Sequence, residues 1–178
     1  MRVLVGGGSS ATDRQDFYHA ALAAGVSSWD AYINGIVREF YVIVAQPVEP
    51  TYTALHGITA QAAERALEKF NTPNWENTRT LLSQMTGYDP INDWNWPAGG
   101  MNRQQSQTYL NEILKVRHSF AHGLPLPAYG WTQSSSGAKR LTRAGVDDVG
   151  RFLRHMVLVT DEGLKQRIVS AFGTTPPW

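Results

Sequence analysis

The chain contains no cysteine. That excludes a disulfide framework, thiolate metal ligands and a thiol nucleophile, and it agrees with a reducing compartment. Long apolar runs are missing too: no stretch approaches the roughly 18 residues of a membrane span. The opening MRVLV is too short for the apolar core of a signal peptide and runs straight into glycines and serines. The expectation is a soluble cytoplasmic protein with no membrane contact. Charge is sparse as well, at 17% of residues and a net +1, so the chain is no polycation. What is present is 42% hydrophobic and 11% aromatic residues in a chain of 178. That is enough for one sizeable core, which excludes a disordered chain and leaves little room for two domains.

The few charges are unevenly distributed. Residues 1–98 carry a net −4 and residues 99–178 a net +5. A near-neutral protein with a basic half can present an anion-binding face, because the local field outweighs the total. Chance segregation on a solvated surface is the competing explanation.

Hydrophobic spacing reads as helix throughout. Thr12 and Gln15 form a T-x-x-Q capping box, and Leu22, Val26, Trp29, Ile33, Ile36, Phe40 and Val44 then recur every three or four residues. This predicts one long amphipathic helix ended by Pro47 and Pro50, with Gly25 and Gly35 as places where another helix can come close. A second helix is expected over 59–70, with Ala63, Ala66, Leu67 and Phe70 inward. A third starts at Thr72-Pro73 and stops at Gly87, and a fourth covers 102–122, stopped by Gly123 and Pro125. Residues 124–142 read as an irregular excursion in which GWTQSSSGAKRLT can form a short hairpin. Thr142 then opens a last helix with Val146, Val149, Leu153, Met156, Leu164 and Ile168 inward. The expected fold is all-α: an antiparallel bundle of four to five helices, with a loop or short hairpin inserted before the last one. The expected organisation is a flexible segment at 1–11 and a single domain at 12–178.

The fourth helix, TYLNEILKVRHSFAHG, carries the chemistry. On a helical wheel Arg117 falls inside an apolar arc of Leu110, Leu114 and Ala121. A guanidinium there needs a carboxylate partner or a cleft. His118 and His122 share a flank, and two explanations compete for them. An i, i+4 histidine pair can grip Zn²⁺, but the chain has no H-E-x-x-H signature, no cysteine and no third ligand at an obvious spacing, so no metal or other cofactor is expected. Alternatively, Arg117 and His122 act together. Arginine is a permanent bidentate clamp for phosphate, and histidine moves protons near neutral pH. Those are the parts needed to cleave RNA without a metal. On one straight helix the two stand about 140° apart, so a distorted last turn or a partner helix across a dimer interface must bring them together.

RHSFAH, on a late helix and followed by glycine, resembles the R-x4-H motif of the HEPN superfamily (higher eukaryotes and prokaryotes nucleotide-binding). AALAAGVSSWDAYINGIV, FNTPNWENTRTLLSQMTGYDP, LNEILKVRHSFAHG and FGTTPPW are similar to segments of its RiboL-PSP-HEPN subgroup, covering most of residues 15–178. The resemblance implies a homodimer with two motifs around one cleft. It also implies a metal-independent endoribonuclease that leaves 2′,3′-cyclic phosphate ends and serves a toxin or antiviral-defence role, with an antitoxin or sensor protein as a further partner. Arg117 would hold the scissile phosphate, His122 would act as general base or acid, and His118 would be its polar companion. Some members only bind, so a non-catalytic module for a nucleotide, RNA or a partner protein is the alternative. A helical adaptor with Arg117 paired internally is a third. Lys139, Arg140, Arg143, Arg151 and Arg154 are the candidate contacts to the RNA backbone, against a merely solvated face. Trp94, Trp96 and Trp131 can either stack bases or cap the core.

Overall fold

A computed structural model describes residues 11–45, 49–133 and 136–178. Within them the chain forms five α-helices: α1 (Ala11–Ile43), α2 (Pro50–Lys69), α3 (Trp75–Thr86), α4 (Arg103–Ala121) and α5 (Arg143–Phe172). No β-strand is formed among the described residues. Of the expected flexible segment, residues 1–10 lie outside them, and Ala11 is already the first residue of α1.

The long first helix is the axis of the molecule, and α2, α3, α4 and α5 all pack against it. Every residue of the expected stripe, from Leu22 to Val44, is buried. That stripe faces the inner residues of α5, where Val149, Leu153, Met156, Leu164 and Ile168 are buried and Val146 half-buried. The 3.6-residue period of two long helices therefore sets most of the core.

Three local details differ from the sequence-based expectation. Gln15 does not close a capping box with Thr12, which lies within α1. Its amide instead brackets Leu141, with Nε2 donating to the Leu141 carbonyl at 2.8 Å and Oε1 accepting from the Leu141 N–H at 2.9 Å. The second helix begins nine residues earlier than expected, because Pro50 starts it rather than only separating it from α1. Proline is pre-set for the first helical position, and the Glu49 side chain caps the N–H groups of Thr51 and Tyr52. Finally, α3 starts after Asn74, whose side chain accepts from Asn77 N–H at 2.7 Å. Pro73 precedes it, and its carbonyl takes the Trp29 indole N–H at 3.0 Å.

Aromatic residues of the turn-rich connection fill the end of the bundle. Trp94 is fully buried and donates to Thr160 Oγ1 at 2.9 Å. Trp96 is buried edge-on to Phe152, with centroids 5.5 Å apart. Both cap the core. The excursion before α5 makes one antiparallel bridge between Gln133 and Lys139, and Arg140 N–H donates to the Thr132 carbonyl at 2.9 Å.

The helix glycines do not mark close helix–helix approaches. Gly35 has open space where a side chain would project, and at Gly25 a Cβ would make ordinary contact with Leu153. The close approach occurs instead at Gly163 of α5, where any Cβ would land on Tyr88 Oη and Asp93 Oδ2, themselves hydrogen-bonded at 2.7 Å.

Candidate functional site

Both ends of α4 are fixed by short-range hydrogen bonds. At its start Asn102 and Gln105 form a reciprocal capping box, each side chain accepting from the other's backbone N–H at 3.0 and 2.9 Å. At its end His122 is the cap residue and Gly123 takes φ of 63°. Leu124 N–H then reaches the Ser119 carbonyl at 2.7 Å, and Gly123 N–H the Phe120 carbonyl at 3.2 Å. This pair of bonds is a Schellman closure, which keeps the helix regular through Ala121. Arg117 and His122 consequently stay about 140° apart around the axis. No hydrogen bond or ring contact joins them among the described residues.

The wheel placed Arg117 inside an apolar arc, and the structure corrects this. The buried face of α4 runs through Ser106, Tyr109, Leu110, Ile113, Val116 and Ser119. Arg117, Phe120 and Ala121 are exposed and Leu114 is half-buried. Counting apolar residues put the arc one step too far round, because the face that packs is the one carrying Tyr109, Ile113 and Val116. Phe120 points off that face and remains 44% exposed despite its apolar ring.

Three polar side chains therefore stand in solvent on the last turn and cap. Arg117 makes no ion pair within 4 Å among the described residues. Its charge does reach Asp30 on α1, whose carboxyl is pushed up by burial and pulled back down by that guanidinium. The His118 and His122 rings touch, with centroids 4.2 Å apart at 43°, and neither makes a side-chain hydrogen bond among the described residues. Beside them, the ring of Phe120 lies flat on His19 of α1, centroids 4.2 Å apart at 6°. Burial lowers the His19 imidazole from its ordinary value, against the pull of Asp16, and its Nδ1 is buried with no hydrogen-bond partner.

The turn thus has neighbours that sequence reasoning missed: Asp30, His19 and the shelf made by Phe120. No local signal marks them, because all depend on how α1 and α4 lie together. The other histidines serve the fold. His56 and His155 bond the carbonyls of Tyr41 and Asn95 at 2.8 and 2.6 Å.

The candidate basic residues divide into two groups. Lys139 and Arg140 precede Leu141, which Gln15 holds one turn before His19 in α1, and His19 in turn stacks on Phe120 of α4. Arg143 opens α5 and pairs with Asp147 at 3.6 Å. Arg151 pairs with Asp148 beside Tyr109, and Tyr109 lies eight residues, about 12 Å, before Arg117 along α4. Arg154 is exposed on α5. Trp131 is half-buried and donates to Glu112 Oε2 at 2.9 Å.

Among the described residues no three His, Cys, Asp or Glu side chains gather as a metal site requires, and no helix is long and apolar enough to cross a membrane. The described residues form an all-α fold of five helices with an arginine and two histidines exposed at one helix end. No family model matches the chain, nor does any curated protein or solved structure.

Proposed function

We propose that the chain is a HEPN-type, metal-independent endoribonuclease acting as a homodimer in a toxin or antiviral-defence role. The observation that carries this reading is the accessibility of Arg117, His118 and His122 at the last turn and cap of α4. An arginine costs the fold little there, and no side-chain hydrogen bond among the described residues uses any of the three. In the proposed reaction His122 takes the proton of a ribose 2′-OH. The 2′-oxygen attacks the adjacent phosphorus while Arg117 holds its non-bridging oxygens, and the 5′-oxygen leaves with a proton from an imidazole. The product is a 2′,3′-cyclic phosphate. His118 orients His122 through their ring contact.

Since α4 stays regular to its cap, one chain presents Arg117 and His122 in different directions. The second motif comes from a second copy, which faces the first across the exposed turn. Lys139 and Arg140 lend salt-dependent affinity for the RNA backbone from the neighbouring edge.

The test is cleavage of end-labelled single-stranded RNA by the purified chain in excess EDTA, with the product ends identified. Cyclic-phosphate ends support the proposal. Binding without cleavage would favour a non-catalytic module instead, a reading supported by the separation of Arg117 from His122 within one chain.

A further inference from the structure

Two turns before Arg117, α4 borders a cavity of about 640 Å³ unconnected with the motif. Part of its wall is aromatic, beside the polar side chains of Asn102, Gln104, Gln105 and Thr108. Trp96 lies nearly parallel to Tyr109, at 12° with centroids 6.3 Å apart, and Trp131 stands at 80° to Tyr109 with centroids 5.6 Å apart. Trp96 and Tyr109 are almost wholly buried, so the half-exposed Trp131 is the ring most open to a ligand. Two perpendicular rings make a corner rather than a flat shelf.

Two carboxylates share this corner, Glu112 from α4 and Asp148 from α5. Arg151 already neutralises Asp148. Glu112 accepts the Trp131 indole N–H at 2.9 Å and has no cation within 4 Å among the described residues. The negative field extends to the wall: the Tyr109 phenol is pushed up by burial and further by Asp148 and Glu112, with Arg151 opposing.

This combination selects a charge. An anion, RNA phosphate included, is repelled by Glu112, and a neutral apolar ligand leaves the negative charge of that carboxylate uncompensated. A cation whose charge is spread over alkyl groups satisfies both parts, attracted by the open face of Trp131 and by the carboxylate at little cost in hydration. We propose that this cavity binds an alkylammonium group, held by the Trp131 ring, which Tyr109 backs edge-to-face, and the carboxylate of Glu112. The group has two possible sources, a free quaternary amine such as choline or a trimethylated lysine of another protein. The inference does not depend on the ribonuclease reading.

The test uses the intact chain and follows tryptophan fluorescence. Choline is compared with its neutral isostere, in which a tert-butyl group replaces the trimethylammonium. A trimethyl-lysine peptide is compared with the same peptide unmethylated. The expected result is that at least one member of these pairs binds about tenfold or more tightly than its twin. Which pair does so identifies the source. Glu112→Gln should erase that preference with an unchanged melting curve. Equal binding within both pairs, no binding by any probe, or a preference that survives in Glu112→Gln would overturn the proposal. The comparison of twins on the parent chain holds even if the variant fails to fold.

Discussion

The two ends of α4 use their polar side chains in opposite ways. At the N-terminal end the polar groups are committed, as Asn102 and Gln105 cap each other. At the C-terminal end Arg117, His118 and His122 stand in solvent, and backbone bonds around Gly123 do the capping instead. A helix needs its terminal N–H and carbonyl groups satisfied, but it does not need side chains to do it. Where glycine and the backbone suffice, the side chains are free for other work.

Breaking the open end should give the largest effect, and on activity alone. Arg117→Ala or His122→Ala should each lower RNA cleavage by about a hundred- to ten-thousand-fold, the usual span for a lost acid–base or charge-stabilising group. Thermal melting should be unchanged, since both residues are exposed. The packed interior should show the reverse. Gly163→Ala drives a methyl into the bonded pair Tyr88 and Asp93 and should cost about 1–3 kcal/mol in denaturant unfolding. Asn102→Ala, at the committed end of α4, should cost about 1 kcal/mol through its lost cap.

Smaller effects sharpen the contrast further. Gly35→Ala, in open space within α1, should stabilise by about 0.5–1 kcal/mol. The smallest concerns His19. Its folded imidazole titrates below the ordinary 6.5 because it is buried. As pH falls through 6.5 the unfolded chain takes up a proton that the folded chain refuses, so stability is lost down to the depressed folded value. His19→Phe keeps the flat contact with Phe120 and should remove that slope when melting is followed from pH 8 to 5.

Much of the fold was legible because it rests on periodicity. The stripes of α1 and α5 needed only their spacing, and Gly87 and Gly123 end their helices with positive φ as their positions implied. The start of α2 was not legible: Pro50 reads equally as a stop for one helix and as the first residue of the next. Gln15 was misread for a related reason, since a local cap and a bond to Leu141, 126 residues away, look the same in sequence. At the site, the motif residues could be found by eye, but their exposure could not. The apolar letters of Leu114, Phe120 and Ala121 do not say whether a neighbouring helix covers them. Asp30 and His19 are invisible until α1 is laid beside α4.

In the proposed dimer one chain holds Arg117 and His122 apart and a second copy completes the site. The arrangement is tested by co-refolding Arg117→Ala and His122→Ala chains and assaying the mixture for RNA cleavage in EDTA. Each variant alone should be inactive, and the mixture should recover cleavage, because a mixed dimer unites an arginine from one copy with a histidine from the other. A mixture as inactive as its components, with mixed dimers demonstrably formed, would contradict that arrangement.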